Sequence, residues 1–226
     1  MSGVGEVIRT GLRGLGQTMI TVGVVILLFC VYELQVTNIV TARAQDRLGD
    51  QLQRSWSEIP RQQLVATEPD LGTAFARLHV PSLEGYEPWN VVEGVTVEDL
   101  KDGPGHIPET ALPGEIGNVV LSGHRTTYGA PFNRWGELLP GDLVVLETRD
   151  EWFTYRITGS EIVRPDAVEV TFPVPGDRAA VPTRSLLTMT TCHPKYSARQ
   201  RLIVSAELTA SDEKSAGRPA ALSGGG

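Results

Sequence analysis

The chain has 226 residues, 21% charged and 41% hydrophobic, a composition able to build one packed domain with extensions. A net charge of −7, with no basic stripe carrying interleaved aromatics, argues against nucleic acid as a partner. The two cysteines, Cys30 and Cys192, lie in very different surroundings, which excludes a disulfide framework and leaves Cys192 as a lone thiol in the polar part of the chain.

The first organising feature is the apolar run MITVGVVILLFCVY, Met19–Tyr32. Extended from Leu15 to Leu34 it covers 20 residues, about 30 Å as a helix, the thickness of a bilayer's hydrocarbon core. Arg9 and Arg13 precede it, and the next cation after it is Arg43. The positive-inside rule therefore predicts a cytoplasmic segment 1–14, a transmembrane anchor 15–34 and an exported remainder. A cleaved signal peptide is the competing reading, with Ala42-Arg43-Ala44 as its cleavage site. That site lies farther beyond the apolar run than a signal peptidase usually accepts, so the uncleaved anchor is favoured. Cys30, inside the run, acts there as a small hydrophobe.

Residues 35–71, including QDRLGDQLQRSW, are polar and read as a partly helical stalk. At the other end, residues 211–226, SDEKSAGRPAALSGGG, lack apolar periodicity and read as a disordered tail. Between them, residues 72–210 look all-β. Eight strands are predicted: Ala74–Val80, Trp89–Val95, Asn118–Ser122, Leu143–Thr148, Trp152–Thr158, Glu161–Arg164, Ser185–Thr191 and Arg201–Leu208. The fifth alternates cleanly, with Phe153, Tyr155 and Ile157 on one face, and Arg149-Asp150 separates it from the fourth at hairpin spacing. Turn clusters stand at Asp102–Gly105, Leu139–Asp142 and Val174–Asp177, and Val97–Lys101 adds one helical turn. Many short strands without a long amphipathic helix point to a small closed barrel or a sandwich.

The segment SLLTMTTCHPKYSARQRLIVSAEL carries the sharpest chemical signal. A strand ends at Cys192, a loop follows, and a strand restarts at Arg201. An unperturbed thiol, with a pKa of about 8.5, is only slightly ionised at neutral pH, so a nucleophilic cysteine needs a base or a positive field beside it. Arg201, at the start of the strand, is better fixed than the loop residue Arg199, and an arginine can also donate to a developing oxyanion. Of the four histidines, His79 lies in the apolar strand FARLHVP and reads as a packing residue. His106, in DGPGHIPET, reads as a loop hydrogen-bonding group. His193 adjoins Cys192, but neighbours on an extended chain point to opposite faces. His124 ends the strand NVVLSGH and is the best acid–base partner.

These segments together resemble the sortases, membrane-anchored cysteine transpeptidases of Gram-positive bacteria. The family's TLxTC motif stands here as Thr188-Met189-Thr190-Thr191-Cys192, with Met189 a volume-conserving replacement for leucine. LSGHRTTYGAPF matches the family's histidine segment, and Arg201 before Leu202-Ile203-Val204 matches its arginine. The order His, Cys, Arg and the 68-residue separation of His124 from Cys192 agree as well. The similarity runs over residues 73–208 and is greatest to the class E sortases of actinobacteria.

The resemblance implies an eight-stranded β-barrel with catalytic residues His124, Cys192 and Arg201. It implies cleavage between Thr and Gly of a C-terminal sorting signal, of LAxTG more than LPxTG type, and transfer of the protein to an amine on a lipid-linked cell-wall peptide precursor. Thr126, Thr127 and Tyr128 after His124, and Thr191 before Cys192, are the candidate residues of the substrate groove. No cofactor is expected, and no cluster of oxygen ligands suggests a metal. The rival enzyme, an L,D-transpeptidase, carries its arginine two residues after the cysteine, where this chain has Pro194. A membrane-tethered β-domain that binds protein and catalyses nothing is the alternative from a different class.

Overall fold

The computed structural model describes residues 3–58 and 69–223. It begins with one continuous helix, α1, Gly3–Glu58. Its N-terminal half is long and apolar enough to cross a membrane, and from Val7 to Tyr32 its large apolar side chains are exposed. The helix does not end with the apolar stretch. Thr41, Ala44, Leu48 and Leu52 are buried against the rest of the protein, recurring at the spacing of one helical face. Up to residue 58 the expected stalk is thus a docked helix, and its remaining part at 59–68 lies outside the described residues.

Eight strands follow: β1 Ala74–His79, β2 Trp89–Glu93, β3 Gly105–His106, β4 Gly117–Ser122, β5 Leu143–Glu147, β6 Glu151–Val163, β7 Ser185–His193 and β8 Gln200–Glu213. They close into a barrel in the order β1-β2-β3-β4-β7-β8-β6-β5. The expected number is right, but its composition differs. The predicted strands Trp152–Thr158 and Glu161–Arg164 are one strand, β6, whose pairing with β8 shifts register between Ile157 and Gly159. A bulge there interrupts the apolar alternation without ending the ladder. The two-residue strand β3 was not predicted, because it is too short to show a period. A short helix, α2 Val97–Asp102, stands where one helical turn was expected, closed at its start by a Thr96–Asp99 capping box.

The barrel interior is filled by Leu78, Val119, Leu121, Tyr155, Leu187, Met189 and Val204, among others. Phe132 and Trp135 stack at 4.1 Å and plug one part of it. Helix α1 joins this core through backbone-reading side chains as well as apolar ones. Gln45 Nε2 donates to the carbonyls of Asn90 and Asp102, and Gln45 Oε1 accepts from the Asn90 amide. Gln45 thereby serves the backbone of β2 as a neighbouring strand would.

The C-terminal segment is more ordered than the disordered tail expected for 211–226. Strand β8 runs to Glu213, opposite Glu151, and is followed by a 3-10 turn Lys214–Ala216 and a short helix, α3 Ala220–Ser223. Residues 224–226 lie outside the described residues. Lys214 explains the order. Its Nζ donates to Glu147 Oε1 at 2.7 Å and lies 3.7 Å from the centre of the Trp56 ring of α1. Glu147 also accepts from His79 Nε2 at 2.8 Å. Burial pushes the Glu147 carboxyl up, but the bonds from His79 and Lys214 outweigh it and hold the carboxyl below its usual range.

Such a carboxylate contributes stability above the ordinary carboxylate range and loses it as pH falls through the lowered value. Lys214→Met is expected to cost about 1–3 kcal/mol of unfolding free energy at neutral pH, and much less in a Glu147→Gln background. Denaturant titration of the four proteins measures that coupling.

Candidate active site

Alternation along three adjacent strands assembles the site. In β4, Val119 and Leu121 enter the core; in β7, Leu187 and Met189; in β8, Leu202, Val204 and Ala206. The outer face therefore carries Asn118, Val120 and Ser122 from β4, Leu186, Thr188, Thr190 and Cys192 from β7, and Arg201, Ile203 and Ser205 from β8. Cys192 pairs in register with Arg201 across the antiparallel β7–β8 ladder. On its other side β7 runs parallel to β4, with Ser122 against Thr190. Parallel pairing delivers the C-terminal ends of both strands to the same end of the barrel. His124, two residues past Ser122, thus leaves β4 beside the end of β7 that carries Cys192.

Local bonds fix this junction. The Gly123 amide donates to the Thr190 carbonyl at 3.2 Å, and Thr191 Oγ1 donates to the Gly123 carbonyl at 2.7 Å. Thr191 is only 2% exposed, so the structure does not place it at the groove. By parity it faces inward, where its hydroxyl ties the cysteine strand to the histidine segment. Glycine is required at 123 by space, since a Cβ there would lie 2.9 Å from the Phe132 ring. Of the other predicted groove residues, Thr127 is exposed and Thr126 and Tyr128 are half-buried. Tyr128 lies against His124 with ring centroids 5.0 Å apart.

Cys192 is half-buried and unbridged. Burial lowers the His124 pKa, so the imidazole is neutral at neutral pH and able to accept a proton. Arg201 Nη1 donates to the carbonyls of Ala198 and Gln200, at 3.0 and 3.1 Å. Arg199 is exposed, as expected. His79 is buried, as a packing residue should be, but it also carries the bond to Glu147. His106 departs from its expected loop role: it is buried in β3, with Nδ1 bonded to Glu93 Oε2 at 2.7 Å and Nε2 lying 2.8 Å from Thr110 Oγ1 and 3.0 Å from the Ala111 carbonyl.

Arg125 escaped the sequence reading. It is buried, its Nε donates to the Asn133 carbonyl at 3.0 Å, and Asn133 Nδ2 donates back to the Arg125 carbonyl at 2.9 Å. Its Nη1 is buried without a hydrogen-bond partner among the described residues. Burial pushes its pKa down, while the charges of Cys192 and Glu137 pull it up. Alternation was the signal available, because Arg125 takes the inward parity next to outward His124.

A cavity of about 370 Å³ lies on the same outer face, between the β6–β7 connection at Val174 and Pro175 and the strand residues Leu186, Thr188 and Ser205. The larger cavity, about 550 Å³ beside His79, Tyr86 and Arg218, contains none of the predicted site residues. Among the described residues, no group of three or more His, Cys, Asp or Glu side chains is gathered to hold a metal ion.

Residues 78–209 match the Sortase domain family. Sortase SrtE1 of Streptomyces coelicolor is 34% identical over 218 residues, 93% of this chain and 60% of the relative. The chain belongs to the sortase family. Sortases are cysteine transpeptidases. The structure of sortase E from Streptomyces avermitilis is 42% identical, with a TM-score of 0.61 over 68% of this chain and 99% of that one. That of sortase E1 from Streptomyces coelicolor, with a tripeptide in the active site, is 34% identical, with a TM-score of 0.62 over 67% and 97% of the two chains. The likeness to class E sortases expected from sequence is therefore borne out, and family membership sets aside the L,D-transpeptidase alternative. The chain spans under two thirds of the length of sortase SrtE1.

In this sortase the lowered His124 value has a thermodynamic consequence. The unfolded histidine titrates at its ordinary value of 6.5 and the folded one below it, so on acidification the unfolded chain takes up the proton first. His124 therefore makes stability fall as pH drops through 6.5 towards the lowered folded value. His124→Gln should flatten that part of the profile, which denaturant unfolding followed from about pH 7 to about pH 5 measures.

Proposed function

We propose that this chain is a membrane-anchored sortase in which Cys192 attacks a sorting signal, His124 moves the proton and Arg201 receives the developing charge. The observation that carries the reading is the convergence of these residues at one end of the barrel's outer face: Cys192 in register with Arg201, and His124 leaving the strand paired in parallel with β7.

The chemistry follows from these positions. Cys192 Sγ forms a bond to the Thr carbonyl carbon of the signal as its proton passes to the neutral His124 ring. The carbonyl oxygen becomes an oxyanion, and Arg201 is the nearest in-register cation to meet it. Its two carbonyl bonds engage Nη1 and leave Nε and Nη2 as donors. The Thr–Gly C–N bond then breaks, the imidazolium protonates the departing glycine amine, and a Cys192 thioester remains. An incoming amine attacks that thioester, gives a proton to His124, and leaves with a new amide bond as the thiol is restored.

The substrate class rests on the groove. The face that carries Cys192 continues past Thr190 and Thr188 into the cavity walled by Leu186, Val174 and Pro175. It offers Leu186, Val174 and Pro175 as apolar contacts for the leading residues of an extended peptide, beside the Arg184–Glu207 ion pair. Likeness to class E relatives favours LAxTG over LPxTG, and a lipid-linked wall-precursor amine as acceptor. Thr126, Thr127 and Tyr128 border the groove on the His124 side. Residues 15–34 form the anchor, with Arg9 and Arg13 in the cytoplasm and the barrel outside. Anchoring enzyme, signal and acceptor at one surface raises their effective concentration.

The test uses the full chain in detergent micelles with fluorogenic LAxTG and LPxTG peptides and an added amine. Wild type should cleave between Thr and Gly, LAxTG faster. Cys192→Ala should abolish cleavage, His124→Ala lower kcat/KM about 10³-fold and Arg201→Lys about 10²-fold. Cleavage of neither peptide by the folded chain would favour the non-catalytic tethered domain.

A further inference from the structure

Helix α1 touches the segment that carries His124. Asn38 Oδ1 accepts from the Gly129 amide at 2.9 Å, a bond that spans 91 positions in sequence. Gly129 has φ +71°, and a Cβ there would lie 2.5 Å from the Trp89 ring and 3.3 Å from Thr41 Cγ2. The tip of the loop is therefore pressed between the helix and β2 without room for any side chain. Thr41 is itself fully buried, with Oγ1 donating to the Lys101 carbonyl at 2.8 Å, so this stretch of α1 is immobilised on α2 as well.

From Gly129 the connection to the proposed acid–base residue is short. Tyr128, its neighbour, has φ 52°, a left-handed conformation that a tyrosine holds only when its surroundings over-determine it. Its ring lies against His124. The loop is closed on itself by the Ala130 amide on the Thr127 carbonyl and by the Phe132 amide on the His124 carbonyl, at 2.9 and 3.0 Å. A displacement of Gly129 is thus passed to Tyr128, and from Tyr128 to the His124 ring.

We propose that helix α1 is a working part of the catalytic unit: Asn38, acting through Gly129, is a positioning residue that holds the Tyr128–His124 pair in its reactive pose. This rests on the reading of His124 as the acid–base residue. The bond lies at the exposed edge of the helix, so its loss should release the loop without unfolding the barrel.

The experiment compares wild type, Asn38→Leu, Asn38→Asp and His124→Ala, all full-length in detergent micelles. Leucine matches asparagine in size and removes the acceptor, whereas aspartate keeps an Oδ. Asn38→Leu should lower kcat about tenfold with KM within about twofold and an unchanged unfolding midpoint, and Asn38→Asp should restore kcat to within about twofold. Hydrogen exchange at the Gly129 amide, a readout independent of turnover, should quicken in Asn38→Leu and not in Asn38→Asp. Wild-type kcat in Asn38→Leu, or unchanged Gly129 exchange, overturns the inference. Full activity in His124→Ala would instead overturn the assignment of His124, leaving the exchange result to judge the contact alone.

Discussion

The parallel pairing of β4 with β7 is the constraint on which this site depends. Most of the barrel is antiparallel, and an antiparallel β4 would send the end of its strand, and His124 with it, to the far side of the molecule from Cys192. Parallel alignment of Ser122 with Thr190 makes two strand ends coincide. The Thr191–Gly123 bond then fixes their offset where the ladder stops. Register matters as much as direction: a one-residue slip of β7 would turn Cys192 into the core and Thr191 out to solvent. The Thr188 hydroxyl, donating to Asn118 Oδ1, opposes that slip from within the same pair of strands. Asn118 in turn donates to the carbonyls of Val170 and Phe172, fastening the β6–β7 connection above the groove.

The histidines show how the fold separates structure from chemistry. His79 and His106 are each bonded to a buried glutamate, which fixes ring orientation and pins β1 to β5 and β3 to β2. His124 has no bonded carboxylate among the described residues. It lies against a tyrosine, half-buried, with its charged form disfavoured. Of the three rings, His124, with its charged form disfavoured by burial, is the one suited to the proton transfers proposed for it. Arg125 and Arg201 divide along similar lines. The first is locked inside by Asn133, and the second lies at the loop edge with donors to spare.

Much of this was legible because the β period is two. Cys192 and Arg201 could be placed at strand ends, and the opposite facing of His193 followed from adjacency alone. The same parity sends Thr191 inward, away from the groove expected for it, as its burial shows. β6 was read as two strands because a bulge near Gly159 breaks alternation while backbone pairing continues, and pairing has no signature in one strand's sequence. The end of β8, Thr209 to Glu213, has no apolar rhythm and is held by the facing residues of β6 and by Lys214 on Glu147. The docking face of α1 was hidden differently. Thr41, Ala44, Leu48 and Leu52 keep helical spacing, but two of the four are small, and the contacts of Gln45 look in sequence like ordinary solvent polarity.

The unbroken course of α1 makes the proposed anchor and the docked stalk one rod. With residues 15–34 in a bilayer, Asn38 stands one helical turn beyond it, about 6 Å along the axis, and Trp56 about 27 Å farther out. The loop that carries Gly129 touches the near end of this rod, while Lys214, bonded to Glu147, touches its far end. On the proposed anchoring, the end of the barrel that carries His124 would face down, close to the lipid headgroups. On the same proposal such a mount would select substrates by altitude: a scissile bond carried high above the surface on a stiff domain would pass the thiol by, however well its residues matched the groove. Acceptors confined to the headgroup layer would then meet the proposed thioester by lateral diffusion in two dimensions.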